Sequence, residues 1–187
     1  MKLLSQFESL GNIELLSQST LSVFASKNTP QEIYPFALEL FLSLCKLPLS
    51  LSSGWQAPLE KKLLNLTYPE MTANILYYSA KDLSKSGQNR KLKTLDMFGK
   101  LLVISAESRS GRPTKSDVDK RDTLLFQQTE KVLFIYIESG GRLEKYYNQF
   151  LEKNFPVYVL DHELNQSFIG PASVAVNPDN IDTILAG

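Results

Sequence analysis

The sequence predicts an α/β fold: a doubly wound, mostly parallel sheet of about six strands with helices on both faces. Two observations lead there. Short apolar runs alternate with longer segments of helical spacing, and strands alternating with helices make a parallel sheet. Three of those runs, at residues 21–26, 49–53 and 132–137, end in small or polar loops: Lys27-Asn28-Thr29-Pro30, Gly54-Trp55 and Ser139-Gly140-Gly141. In such a sheet ligands bind outside the carboxyl ends of the strands, where these loops converge.

Residues 1–19 read as a short lead-in, with Gly11-Asn12 a turn before 13–16. The first strand covers 21–26. Thr29 as cap, Pro30 at the first helical position and Glu32 three residues after the cap then start a helix running towards Lys46. Alternating Leu47, Leu49 and Leu51 carry the second strand to Ser53, and Pro58 opens a helix over 58–66. A third strand is expected over 73–79 and a fourth over 100–105, separated by a basic stretch with a break at Gly87. Thr114 caps a helix to about Thr129. Residues 131–138 form a fifth strand whose unbroken apolar run suits burial on both faces. A helix over 142–153, a sixth strand over 156–160 and a final helix over 178–185, capped by Asn177, complete one domain over 1–187. The usual doubly wound connectivity predicts the strand order 3-2-1-4-5-6.

The chain of 187 residues is 43% hydrophobic and 21% charged, as in ordinary globular domains. No apolar stretch reaches the roughly 20 residues that cross a bilayer, and Glu8 interrupts any signal-peptide core, so the expectation is a cytoplasmic protein without membrane contact. One cysteine, Cys45, and one histidine, His162, are too few for a disulfide, a zinc site or a histidine-based triad, so no metal or cofactor is expected. The formal net charge is zero, but 11 of the 20 basic residues and only 5 of the 20 acidic ones fall between Lys81 and Arg121. This is either a mixed, solvated surface or a basic face for phosphates.

The loops hold the residues suited to phosphate. Ser26, Lys27 and Asn28 offer a hydroxyl, an ammonium and an amide. Ser53 and Gly54 end the second strand, and Trp55 fits two roles equally, a platform for a base or a core residue under the sheet edge. Arg109, Arg112 and Arg121 follow the fourth strand and border the expected cleft, although Lys120-Arg121-Asp122 also reads as an internal ion-pair cluster. Ser139, Gly140, Gly141 and Arg142 open a helix whose first amides can face an anion, with Glu144 in its first turn. The first strand–helix loop has no glycine, which disfavours classical dinucleotide binding.

The succession of Gly11-Asn12, Phe24-Ala25-Ser26-Lys27-Asn28, Leu51-Ser52-Ser53-Gly54, Lys120-Arg121-Asp122 and Ser139-Gly140-Gly141 resembles the DprA/Smf family of DNA-processing proteins. The element Pro58-Leu59-Glu60-Lys61 is similar to the second loop of a compact DprA-like branch, within the SLOG group of Rossmann-like folds. The resemblance implies a binding module rather than an enzyme, with single-stranded DNA as ligand and, in full-length members, a RecA-type recombinase as partner. A homo-oligomer is compatible with it. It puts Ser26-Lys27, Arg121-Asp122 and Ser139-Gly140-Gly141 at the site, with Lys27 standing where the family has Arg and Asp122 where it has Asn. Two alternatives share the same edge: a SLOG sensor of a free nucleotide, and a LOG-like nucleoside-monophosphate phosphoribohydrolase. The latter's phosphate loop has a third Gly and a Thr that Gly140-Gly141-Arg142-Leu143-Glu144 lacks.

Overall fold

The computed structural model of the protein describes residues 7–81, 83, 89–106 and 112–186. One sheet carries the strands β1 (Phe7–Gly11), β2 (Thr20–Ala25), β3 (Ser50–Ser53), β4 (Asn74–Ser79), β5 (Leu101–Ala106), β6 (Lys131–Tyr136), β7 (Val157–Leu160) and β8 (Val174–Val176). Between them run α1 (Ile33–Leu44), α2 (Pro58–Leu66), α3 (Arg90–Met97), α4 (Lys115–Gln128) and α5 (Arg142–Glu152), with a short α6 (Thr183–Ala186) at the end. The strand order is β1-β5-β4-β3-β2-β6-β7-β8, and only β1 runs antiparallel to its neighbour.

The mostly parallel α/β sheet is thus the one expected, with eight strands in place of about six. The order differs at one joint. β5, the fourth strand expected, lies outside β4 and not beside β2, so the switch in winding falls between β2 and β6. The chain from 20 to 106 winds in one direction through four adjacent strands before it crosses over. The lead-in supplies an edge strand, β1, and Ile13–Ser17 is a 3-10 turn. The second additional strand is β8 on the opposite edge. The expected C-terminal helix is a 3-10 turn at Pro178–Asn180, capped by the Asn177 side chain, followed by α6. The expected break at Gly87 lies outside the described residues.

Helix starts follow their local chemistry. Thr114 accepts from the Asp117 N–H while the Asp117 carboxylate accepts from the Thr114 N–H, a reciprocal cap that fixes the first turn of α4. Pro58 occupies the first position of α2, where a missing N–H costs nothing. The Thr29 cap is not formed. Its hydroxyl donates to the Ser26 carbonyl, and α1 begins later, at Ile33.

Two apolar layers sandwich the sheet. Leu21, Val23 and Ala25 of β2, with Leu133 and Ile135 of β6, pack towards α1, α2 and α3. The alternate residues Phe24, Val132 and Phe134 join Leu125 of α4 and Tyr147 and Phe150 of α5 on the other face. Ser22 points to that second face and is satisfied there by the hydroxyls of Ser52 and Thr129, each at 2.7 Å. Cys45 is fully buried, and burial pushes its thiol up to about 12, which makes it an inert core residue. Among the described residues, no helix is long and apolar enough to cross a membrane.

Candidate functional site

The winding switch between β2 and β6 is closed by Ser26. Its N–H donates to the Tyr136 carbonyl at 3.0 Å, and its hydroxyl accepts from the Glu138 N–H at 2.9 Å. Asn28 donates to the Glu138 carboxylate at 3.0 Å. The loops after these two strands are therefore tied together at one edge of the sheet, as the topology of a doubly wound fold requires of its ligand edge.

Glu60, in the first turn of α2, holds the adjoining corner. One carboxylate oxygen accepts from the Ala25 N–H at the end of β2 (3.2 Å); the other accepts from Gln56 N–H (2.9 Å) and Ala57 N–H (3.1 Å). Burial pushes this carboxyl up, against the three backbone donors and the nearby Arg121 charge, which favour the ionised form. The side chain thus fastens α2 to β2 while placing a buried carboxyl beside the cleft.

Gly54, directly after β3, leaves room for a long side chain. A Cβ built there lies 2.8 Å from the Arg121 guanidinium carbon, so a larger residue would push that side chain off the strand end. Arg121 reaches this position from α4, and it is itself gripped by Asp122. Arg121 Nε and Nη2 donate to Asp122 Oδ1 at 2.8 and 2.5 Å. Arg142, at the start of α5, donates to Asp122 Oδ2 at 2.5 Å, and the Tyr146 hydroxyl donates to the same oxygen at 3.1 Å. One buried carboxylate therefore joins α4 to α5 through four donors. Burial, with the Asp122 charge, pushes the Tyr146 hydroxyl up to about 12.

These elements surround an open cleft of about 980 Å³ at the carboxyl edge of the sheet. Its described lining includes six basic side chains, Lys27, Lys61, Lys81, Arg112, Arg121 and Arg142, against the three carboxylates of Glu60, Asp122 and Glu138. The average neutrality of the chain thus conceals a basic cleft. Gln56 donates to the Tyr77 hydroxyl at 2.8 Å on its floor.

Of the residues singled out from the sequence, Ser26, Lys27, Ser53, Gly54, Arg112, Arg121 and Arg142 line this cleft. Asn28 borders it through Glu138. Arg109 lies outside the described residues. Trp55 takes the core role: it is 1% exposed, its indole N–H donates to the Leu76 carbonyl at 3.1 Å, and its ring packs edge-on against Phe41. It has no face to offer a base. Ser139, Gly140, Gly141 and Glu144 stand at the same edge but do not line the cleft, and the Glu144 carboxylate accepts the Gly140 N–H, at 2.5 Å, in capping its own helix. Sequence reasoning passed over Glu60, Lys61, Tyr77 and Lys81 as site residues. The readable signal was Glu60 itself, an acid at the third position of a helix starting just past a strand end. Among the described residues, no cluster of His, Cys, Asp and Glu suited to a metal is present.

No protein-family model and no curated protein matches this sequence. Among solved structures, the chain superposes on DNA processing protein A from Helicobacter pylori with a TM-score of 0.75 at 15% identity, covering 97% of this chain and 87% of that one. That structure concerns a single-stranded DNA binding mode of the Helicobacter protein. DNA processing protein A (DprA) from Streptococcus pneumoniae superposes with a TM-score of 0.71 at 14% identity, over 95% of this chain and 65% of that one. The chain has the fold of these DprA structures, and it spans about two thirds of the length of the Streptococcus chain.

Proposed function

We propose that this protein is a DprA-like binding module that takes single-stranded DNA in the basic cleft at the carboxyl edge of its sheet. The observation that carries this reading is the cleft itself: six basic side chains against three acidic ones in a chain of zero formal net charge, at the ligand edge of a DprA-type fold. An open cleft bordered by cations follows a sugar–phosphate backbone without reading sequence, because phosphate contacts position a strand and carry no base information. Lys27 stands at the switch between β2 and β6 as the central phosphate contact, with Ser26, Asn28 and Ser53 as neutral hydrogen-bonding groups around it.

The test is titration of a labelled single-stranded oligonucleotide at several salt concentrations. Affinity is expected to fall with salt at a log–log slope of about −0.7 per phosphate neutralised. Lys27→Ala is expected to weaken binding equally for different sequences and to flatten the slope by about one such step. Binding that is undetectable at low salt, or a slope near zero, overturns the reading.

A second reading rests on size. A volume of about 980 Å³ falls at the upper end of the ~300–1,000 Å³ typical of small-molecule pockets, so a free nucleotide is the rival occupant. A nucleotide that raises the melting temperature, while no oligonucleotide binds, would favour it.

A further inference from the structure

The six basic side chains of the cleft are not equivalent. Arg121 and Arg142 both donate to Asp122, whose side chain is only 9% exposed. Arg142 also donates to Asp119 at 3.1 Å. Arg121 lies against Gly54, close enough to the buried Glu60 for its charge to favour the ionised carboxylate. Both arginines of the wall built by α4 and α5 are thus held by the one buried carboxylate of Asp122. Lys27, Lys61 and Lys81, by contrast, are exposed on the loop after β2, on α2 and after β4, and none forms an ion pair among the described residues.

We propose that Asp122 occupies the place of a ligand phosphate, holding Arg121 and Arg142 out of phosphate binding, so that the backbone phosphates are taken by the lysine side of the cleft. The physical reason is competition for donors. A guanidinium forms its strongest contacts in a planar fork with one carboxylate or one phosphate. Asp122 already fills the Arg121 fork through Nε and Nη2, and it takes Arg142 Nη2 with its second oxygen. A phosphate reaching either arginine must first displace a desolvated carboxylate, which then stays behind as an uncompensated buried charge. The lysines carry no such cost. The arginine wall accordingly serves as the neutral side of the site, against which bases or sugars lie. This inference rests on the proposed DNA-binding reading and specifies which cations carry it.

The experiment compares salt dependences of single-stranded oligonucleotide binding. Lys61→Ala is expected to flatten the wild-type log–log slope by about 0.7, and Arg142→Ala, at an exposed position, to flatten it by clearly less. Asp122→Asn keeps an oxygen for Arg121 but removes the competing charge. It is expected to tighten binding about tenfold, the worth of one charge-assisted contact, and to steepen the slope by about 0.7 for each arginine released. Arg142→Ala should then cost more in the Asp122→Asn background than in the wild type. If Arg142→Ala flattens the wild-type slope as much as Lys61→Ala does, the arginine already binds phosphate and the inference is overturned. That comparison stands even if Asp122→Asn fails to fold, which melting curves would show. A folded Asp122→Asn variant with unchanged or weaker binding also overturns it. Wild-type binding with these failures leaves the DNA reading intact, whereas neither protein binding DNA removes both. Binding by the variant alone overturns both as well, because the lysine side of the wild type would then hold no phosphate.

Discussion

At the scale of single residues, the site depends on buried groups whose partners come from distant parts of the chain. Glu60 is the clearest. Both of its oxygens accept backbone N–H groups, so Glu60→Gln turns an amide NH₂ towards a donor and is expected to cost about 1–3 kcal/mol of stability. Its titration adds a signature. Burial raises the folded value above the ordinary 4.5, so the folded chain holds this proton more tightly than the unfolded one. The stability Glu60 contributes then falls as pH rises from the ordinary value to the raised one and is level above it. The melting-temperature advantage of wild type over Glu60→Gln should therefore shrink as pH climbs through that window. An advantage that grows or stays constant would mean that the backbone donors and Arg121 outweigh burial. Trp55 is the second such residue. Its backbone is left-handed at φ 50°, held there by the buried indole, and Trp55→Ala is expected to cost about 3–5 kcal/mol in denaturant titrations. A loss confined to DNA affinity would instead return it to the ligand surface.

At the scale of elements, what was legible in the sequence depended on how locally each feature is encoded. Pro58 and Thr114 specify the starts of α2 and α4 within a few residues, and the structure places them accordingly. Strand order is different. Nothing in the apolar run at Leu101–Ala106 states whether it pairs with β4 or with β2, because periodicity fixes which face is buried and not which edge is joined. β1 escaped notice because only Phe7 of it is partly buried, so it has no alternating pattern to read. The site was legible to the same degree. Loops after strands announced Ser26, Lys27 and Gly54, whereas Glu60 matters through the Ala25 amide, 35 residues away. Gly11 offers a test at this scale. It ends β1 at φ 103°, and a Cβ there would lie 2.4 Å from the Leu101 carbonyl oxygen, which as backbone has nowhere to go. Gly11→Ala should strain this corner by about 1–3 kcal/mol and release the edge strand. Hydrogen exchange would show faster exchange of the amides of β1 and the facing residues of β5, with β2 and β6 unaffected; unchanged β1 protection would refute the assignment.

At the scale of the whole molecule, a doubly wound sheet brings several strand ends together, and that gathering can serve binding or catalysis. The decision rests with what the gathered groups are free to do. Release of a base from a nucleoside monophosphate needs a carboxylate positioned at the sugar and a loop that grips the phosphate. Here Glu144 caps Gly140, Glu60 accepts three backbone N–H groups, and Asp122 takes four side-chain donors. Glu138 remains, bound to Asn28. Each of these carboxylates is occupied in holding two elements or one helix start in place. We therefore expect purine and pyrimidine monophosphates to yield no free base on prolonged incubation, even where one binds and raises the melting temperature by mass action. Chromatography of the reaction mixture is the measurement. Free base that accumulates with wild type and vanishes with Glu144→Gln would make the chain a hydrolase with its helix cap as the catalytic acid. Base release that vanishes only with a substitution at Glu138 would move that role to the switch between β2 and β6.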